Sequence, residues 1–188
     1  MRKQLYAWDV DRDRRFVRID QPPFDDEGRD LLLFNGADID ESIAINLELP
    51  RRARALPDFL YAPSLVLYVS ARGVEIIKRG YVPRIRINRV VLRDATGAVV
   101  DDGYAWLNVG PVIPLLDTER SVYARTASGG IARVKRLVIK EDRVPPDDLF
   151  LFKELSLPIF SEALVAEIES AGLTGASFEE LSTLTWPG

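Results

Sequence analysis

The strongest constraint on the fold is a pair of long apolar segments joined by a short turn in the middle of the chain. Residues Tyr81–Leu92 and Val99–Val109 are rich in β-branched and aromatic side chains. The Arg93–Ala98 segment between them carries Gly97, a residue that turns accept in a left-handed conformation. This pattern predicts a β-hairpin. We therefore expect an α+β fold, a mainly antiparallel sheet with this long hairpin at its centre and a few helices.

The first strand of this hairpin changes character along its length. From Arg84 to Asn88, basic or polar side chains alternate with isoleucines, which is the period-two pattern of a half-buried strand. Residues 90–92 are then all apolar. Either a β-bulge near Asn88–Arg89 or burial of both faces at the far end explains this change, and both explanations stay open.

Two helices are predicted by capping signals. Ser70 follows an apolar strand and precedes a helix to about residue 79, and Ser161 precedes a helix over 162–171. A glycine follows each helix, and the serines are 91 residues apart. An internal duplication explains this echo, and so do general capping rules. Pro111–Thr126, by contrast, is interpreted as a loop.

The composition removes several classes of chemistry. The 188 residues include no cysteine and no histidine, which excludes disulfides, the usual zinc sites and every Ser-His or Cys-His catalytic arrangement. No run approaches the roughly 20 apolar residues that span a bilayer, and charged residues over 9–13 interrupt any N-terminal signal segment. We expect one cytoplasmic domain over residues 1–188, with no cofactor and no metal.

Three local features each allow two interpretations. Acid doublets such as Asp101-Asp102 and Asp147-Asp148 suit a hydrolase or a magnesium site, or they are solvated surface. Tyr104 and Trp106 share a strand face, as either a ligand platform and partner hot spot or a stripe of core residues. The basic run Arg51–Arg54 is either an anion contact or a solvated turn.

Charge is segregated along the chain, although the net charge is only −4. Residues 21–48 hold one base and eight acids, whereas residues 49–100 hold ten bases and three acids. After Lys153 there are six glutamates and no lysine or arginine. Such blocks either create opposed surface fields or neutralise one another within the fold.

Read in order, a series of segments resembles the immunity protein eleven family, a myxobacterial-type immunity domain. The likeness rests on the order and spacing of the segments, covers nearly the whole chain and is strongest over residues 64–178. The segments are Tyr6-Ala7-Trp8-Asp9, Leu56-Pro57-Asp58-Phe59, Leu65-Val66-Leu67-Tyr68-Val69-Ser70, Tyr104-Ala105-Trp106-Leu107-Asn108-Val109, Leu116-Asp117-Thr118-Glu119-Arg120-Ser121, Leu137-Val138-Ile139, Asp148-Leu149-Phe150-Leu151-Phe152, Ile159-Phe160-Ser161 and Ala171-Gly172-Leu173-Thr174-Gly175-Ala176-Ser177-Phe178.

The resemblance implies an antitoxin of a bacterial polymorphic-toxin or contact-dependent competition system. Such a protein would sit in the cytoplasm and neutralise a cognate toxin, encoded by the adjacent gene, by binding it. No catalytic residues are attached to the family, so none are carried over, and we expect no enzyme. We also expect no membrane partner and no direct contact with nucleic acid. The alternatives are a carboxylate-dependent hydrolase, which requires convergent acids in a deep pocket, and a small-ligand binding module around Tyr104 and Trp106.

The charge blocks predict where a partner binds. We expect the toxin to meet an acidic face drawn from residues 21–48 and from the glutamates after Lys153, with aromatic anchors at its centre. The residues expected to contact the partner are Asp25, Asp26, Glu27, Asp30, Tyr104, Trp106, Glu167 and Glu169, with Glu179 and Glu180 extending the acidic tail.

Overall fold

The computed structural model describes most of the chain in seven stretches, and its elements are mainly strands. The described residues are 4–10, 16–19, 22–31, 39–50, 55–61, 66–127 and 129–183. The predicted basic run over 51–54 lies outside them. The elements in chain order are β1 (Leu5–Val10), β2 (Ile45–Glu48), β3 (Phe59–Leu60), β4 (Leu67–Ser70), α1 (Ala71–Ile77), β5 (Ile85–Arg93), β6 (Val99–Val109), β7 (Val112–Ile113), β8 (Val122–Arg125), β9 (Ile131–Arg136), β10 (Leu149–Phe152), β11 (Leu157–Ser161), α2 (Glu162–Ser170) and β12 (Ala176–Glu180).

Within the described residues, the strands form two five-stranded sheets and one two-stranded sheet. The first sheet has the order β12-β1-β11-β10-β7, and the second has the order β2-β5-β6-β4-β3. Most neighbours are antiparallel, but β2 runs parallel to β5 and β7 runs parallel to β10. The architecture is α+β with mixed sheets, because these two short strands reach their partners through long connections rather than through hairpins.

Strands β5 and β6 pair in antiparallel fashion across the Asp94–Ala98 loop. The Asp94 carboxylate accepts hydrogen bonds from the amides of Thr96 and Ala98, and Gly97 takes a φ of 84°. The register shifts between Val90 and Arg93, and residues 90–92 are all buried. The predicted bulge near Asn88–Arg89 is therefore wrong, because the register is regular from Ile85 to Val90. Burial of both faces at the far end, the other explanation left open, accounts for the apolar run.

The interpretation of Pro111–Thr126 as a loop was wrong. The segment contains β7 and β8, and β8 pairs with β9 in the two-stranded sheet. A bridge between Leu116 and Ile139 extends this pairing at its base. We call residues 115–140, of which 128 is not described, the arm. Strands of two and four residues are too short to show a periodic pattern, so only the structure shows which strands they pair with.

In the part of the chain that the structure describes, three apolar cores separate these layers. The central core lies between the two sheets and includes both helices, with the side chains Trp8, Phe160, Phe59, Leu67, Val69, Leu107, Val74, Ile77, Leu164 and Ile168. A second core covers the other face of the second sheet, and a third lies between the first sheet and the arm. The first sheet therefore has α2 on one face and the arm on the other.

The two helices begin in the same way. Hairpin β3-β4 leads into α1, and hairpin β10-β11 leads into α2. The Ser70 hydroxyl caps α1 and donates to Asp58 Oδ1 at 2.7 Å, while the Ser161 hydroxyl caps α2 and donates to Asp148 Oδ1 at 2.6 Å. The predicted caps are therefore confirmed, and each gains an aspartate partner from the preceding hairpin.

The second oxygen of each aspartate reaches across to the other helix. Asp58 Oδ2 accepts from the amide of Thr174, which follows α2, at 2.9 Å. Asp148 Oδ2 accepts from the amide of Tyr81, which follows α1, at 2.8 Å. Capping rules account for a serine before a helix but not for this crossed pair of contacts. The reciprocity favours an internal duplication as the origin of the sequence echo.

Candidate functional site

The predicted aromatic anchors are core residues. Tyr104 and Trp106 are both buried against the second core, and the Tyr104 hydroxyl donates to the carbonyl of Pro57 at 2.7 Å. Burial, together with the charges of Asp101 and Asp58, raises the pKa of Tyr104. Of the two interpretations left open for this stripe, the structure supports the core. In this conformation a partner cannot reach either ring.

In the acidic segment near the N-terminus, much of the negative charge is hydrogen-bonded or paired within its own turn. Asp25 is buried, and it accepts hydrogen bonds from the amides of Glu27 and Arg29 and from Arg29 Nε at 2.7 Å. The Arg29 amide, with its side chain and the Glu27 amide, lowers the pKa of Asp25 against the opposing effect of burial. Glu27 also pairs with Arg29 at 3.1 Å. These acids therefore hold a turn together.

Asp26 connects this segment to the edge of the second sheet. Its carboxylate accepts from Asn46 Nδ2 at 3.0 Å and lies 4.0 Å from the Arg93 guanidinium. Arg93 Nε in turn donates to Asn46 Oδ1 at 2.7 Å. Asp30 is exposed and forms a bridge with Phe24. Part of the negative charge of residues 21–48 is thus neutralised by a base of the 49–100 block.

The C-terminal glutamates gather around one tyrosine. Tyr6 on β1 pairs with Glu180 on β12, and α2 packs over the same face of the sheet. Burial is the largest cause of a raised pKa of Tyr6, and the charges of Glu162, Glu180 and Glu169 raise this pKa further. We call these three glutamates with Tyr6 the acidic cluster. Because they share one neighbourhood, they produce a local negative field.

The remaining tail acids stand apart from this cluster. Glu167 lies 3.8 Å from the guanidinium of Arg79, which follows α1. Glu179 is exposed and alternates along β12 with Glu180, so it points to the opposite face. The predicted contact residues are therefore divided: those of segment 22–31 lie beside the second sheet, and those of the tail lie on the first.

The arm carries a basic surface that counting charge over long blocks of the sequence did not reveal. Between residues 120 and 140 there are six bases and no acid, a run hidden within the net negative charge of residues 101–188. Arg133 and Lys135 alternate with buried Val134 on β9, so both face outward from the arm. No carboxylate of the described chain lies within ion-pair distance of either. A charge count over a 20-residue window would have found this surface.

A cavity of about 570 Å³ lies between the base of the arm and the β1–β12 edge of the first sheet. Arg120 from the arm and Glu180 from the acidic cluster both line it. Among the residues described, no group of acids is arranged to hold a metal ion, and no helix of the described ranges is long and apolar enough to cross a membrane. The geometry of these residues is that of charged surfaces beside a cleft.

A comparison with known protein families gives a match over most of the chain. The model of the family described as "Immunity protein family (Imm11)" matches residues 21–183, which is most of the chain. The match includes the acidic segment, both helices and the arm. No curated protein matches the chain.

Proposed function

The chain belongs to the immunity protein family Imm11, and from that premise we propose that it is an antitoxin that binds and neutralises a cognate bacterial toxin. The family match is the observation that carries this proposal. An immunity function against a toxin requires a protein partner, and the charged surfaces described above suit protein recognition. We further propose that the partner is encoded by the adjacent gene and that the two proteins meet in the cytoplasm.

Neutralisation by binding fits the residues that are present. The chain has no histidine or cysteine, so the common nucleophile–base pairs are absent from its chemistry. Several carboxylates of the described residues accept hydrogen bonds from turn amides, from the serines that cap the helices, or from arginines. We propose that occlusion of the toxin, and not its chemical modification, is the mode of action.

We propose that the acidic cluster forms part of the contact with the toxin. Glu162 and Glu169 are exposed on α2, and neither has an ion-pair partner among the described residues. A concentrated negative field attracts a basic partner, so it raises the association rate and makes that rate fall with salt. The acids of segment 22–31 contribute less to this field, because Asp25, Asp26 and Glu27 already have basic partners.

Co-expression with the product of the adjacent gene tests the function. That product alone should stop growth, and growth should return when this protein is produced with it. A variant whose central core is broken, Leu107→Asp, provides the control, because an unfolded chain should not protect. The proposal fails if the product is harmless alone or stays toxic in the presence of the folded protein.

Charge reversal tests the acidic cluster separately. The variant Glu162→Lys/Glu169→Lys should slow association with the purified toxin at low salt and flatten the salt dependence of the rate. The matched control is Glu48→Lys/Glu75→Lys, which changes net charge equally at exposed positions away from the cluster. Equal association rates for the two variants would remove the cluster from the contact.

A further inference from the structure

The basic run of the arm lies mainly on the small sheet formed by β8 and β9. It holds six bases and no acid between residues 120 and 140, in a chain whose net charge is −4. One face of this sheet packs on the third core through buried Val134 and half-buried Tyr123 and Ile131. Because side chains alternate between the two faces of a strand, the residues between these point away from the core.

The register places an apolar row beside a basic row on the face that points outward. Val122 on β8 stands opposite Arg136 on β9, and Ala124 stands opposite Arg133. All four residues are exposed, and so is Lys135, which lies at the register shift next to Arg136. We call these five residues the outer face of the arm. Directly opposed residues of an antiparallel pair share a face, so a base stands beside each of the two apolar side chains.

The positive charges of the outer face are not paired within the described part of the fold. Neither Arg133 nor Lys135 has a carboxylate of the described residues within ion-pair distance. Arg136 donates to the carbonyl of Arg120 at 2.7 Å, a contact that orients the guanidinium and leaves its charge uncompensated. Three positive charges between residues 133 and 136 repel one another, so an anionic partner would relieve this repulsion.

The features of the arm favour a protein over a nucleic acid as this partner. Proteins that bind single-stranded nucleic acid offer aromatic rings on which the bases stack. Tyr123 is the one aromatic residue of the arm, but it packs on the third core and the Arg125 guanidinium carbon lies 5.2 Å from its ring centroid. Val122 and Ala124 instead offer aliphatic surface beside the charges, a combination that is typical of protein interfaces.

We propose that the outer face of the arm binds an acidic segment of the toxin that also carries an aliphatic side chain. Carboxylates of that segment pair with the three bases of β9, and its aliphatic group packs on Val122 and Ala124. The inference rests on the proposed function, because the family implies a cognate toxin. The arm and α2 pack on opposite faces of the first sheet, so this segment is distinct from the part of the toxin proposed to meet the acidic cluster.

Binding of charge variants to the purified product of the adjacent gene tests this surface. Arg133→Glu/Lys135→Glu should weaken the Kd about tenfold or more, because it sets carboxylates against carboxylates. Lys78→Glu/Arg84→Glu makes the same change in net charge at exposed positions outside the arm and should bind within about twofold of the original protein. Equal affinities for the two variants would show that the arm is not in the contact, and the antitoxin function would stand. If the original protein does not bind, both proposals fail.

The apolar row has its own matched pair of variants. Val122→Ser should weaken the Kd about threefold or more, since it removes apolar surface that the complex buries. Val99→Ser, next to the β5-β6 turn, is the control, because Val99 is 55% exposed and Val122 is 45% exposed. Equal affinities for these two variants would overturn the aliphatic part of the proposed contact.

Chemical labelling locates the contact without any substitution. Acetylation of Lys135 by acetic anhydride should be slower in the complex than in the free protein, whereas exposed Lys78 should react at the same rate in both. An unprotected Lys135 in the complex would contradict the proposal.

Binding to nucleic acid tests the competing kind of partner. A DNA duplex and a single-stranded RNA should bind far more weakly than the toxin at physiological salt, and equally weakly to the original protein and to Arg133→Glu/Lys135→Glu. Tight binding of either nucleic acid that this variant loses would overturn the proposal and assign the outer face to nucleic acid.

Discussion

At the scale of single residues, a carboxylate's position in the sequence says little about whether a partner can use it. In the sequence, Asp25 and Glu169 look alike, because each lies in a segment of net negative charge and would be expected to be exposed. In the fold Asp25 is buried and accepts from two amides and a guanidinium, whereas Glu169 is exposed beside Tyr6. The difference arises because a turn leaves backbone amides that a nearby carboxylate can accept from. Folding brings these amides together around Asp25, and the residue types alone do not show this.

Asp25→Asn should destabilise the protein at neutral pH. The ionised carboxylate is favoured in the folded state, since its pKa is lowered by the Arg29 and Glu27 donors. A lowered pKa contributes stability that is present above the unfolded pKa of about 3.9 and is lost as pH falls through the folded value. The difference in unfolding free energy between the two proteins should therefore shrink below about pH 4. Urea unfolding at pH 7 and pH 3 measures it, with exposed Asp142→Asn as control; equal stabilities at pH 7 would contradict this role.

Tyr6 should report the acidic cluster directly. Replacing Glu162, Glu169 and Glu180 with glutamine should lower the pKa of Tyr6 towards its usual value of about 10 but not fully to it, because burial is the largest cause of the increase. A raised tyrosine pKa contributes stability below about pH 10 that is lost as pH rises through the folded value. Carbon-13 resonances of labelled tyrosine, assigned with Tyr6→Phe, follow the titration. An unchanged pKa in the triple variant would show that the glutamates do not surround this ring.

At the scale of elements, two hairpin-and-helix units are joined by crossed aspartate contacts. Asp58 and Asp148 each hold the start of one helix and the segment after the other. These contacts connect β3-β4-α1 to β10-β11-α2 around the central core. Because each aspartate serves both units, damage to one cap should be felt by the opposite helix.

The helix caps should have unequal importance. Ser161→Ala and Ser70→Ala each remove a capping acceptor and a donor to aspartate, which typically costs about 1–2 kcal/mol. Ser161 is buried whereas Ser70 is half-buried, so the Ser161 variant should lose more stability. Urea denaturation measures both losses, with Ser170→Ala at the end of α2 as control. Losses below about 0.3 kcal/mol, within the range of ordinary surface substitutions, would contradict the role of these caps.

The elements that could be predicted from the sequence are those whose signals are local. The β5-β6 turn and the caps at Ser70 and Ser161 depend on residues within a few positions of one another. The parallel pairing of β2 with β5, and the contact of Asp26 with Arg93, join segments far apart in the chain. Local pattern cannot assign such partners, since a two- to four-residue strand carries no period of its own.

The candidate site was harder to predict from the sequence than the fold, for the same reason. Tyr104 and Trp106 carry the composition of a hot spot, and only the second core shows that they are interior. The cleft joins Leu5, Arg120 and Glu180, which the sequence spreads over almost its whole length. The basic run of residues 120–140 could have been found from the sequence, because a shorter window for counting charge separates it from the acidic residues around it.

At the scale of the whole molecule, we propose a protein that acts by binding and occluding its toxin. Its first sheet carries α2 and the acidic cluster on one face and the basic arm on the other, and a cleft joins them at one edge. Family membership implies a cognate toxin as partner, and we propose that these surfaces contact it. A binding protein of this kind is consumed in proportion to the toxin, whereas an enzyme that inactivated the toxin would not be.

Titration of the toxin's activity with this protein tests that claim most directly. Increasing amounts of the purified protein are added to a fixed amount of the adjacent gene's purified product, and residual toxin activity is measured after short and long incubations. Neutralisation by binding predicts a linear fall in toxin activity to a fixed equivalence point that does not move with time. Continued loss of activity at amounts well below equivalence, or no loss at any ratio, would contradict neutralisation by binding.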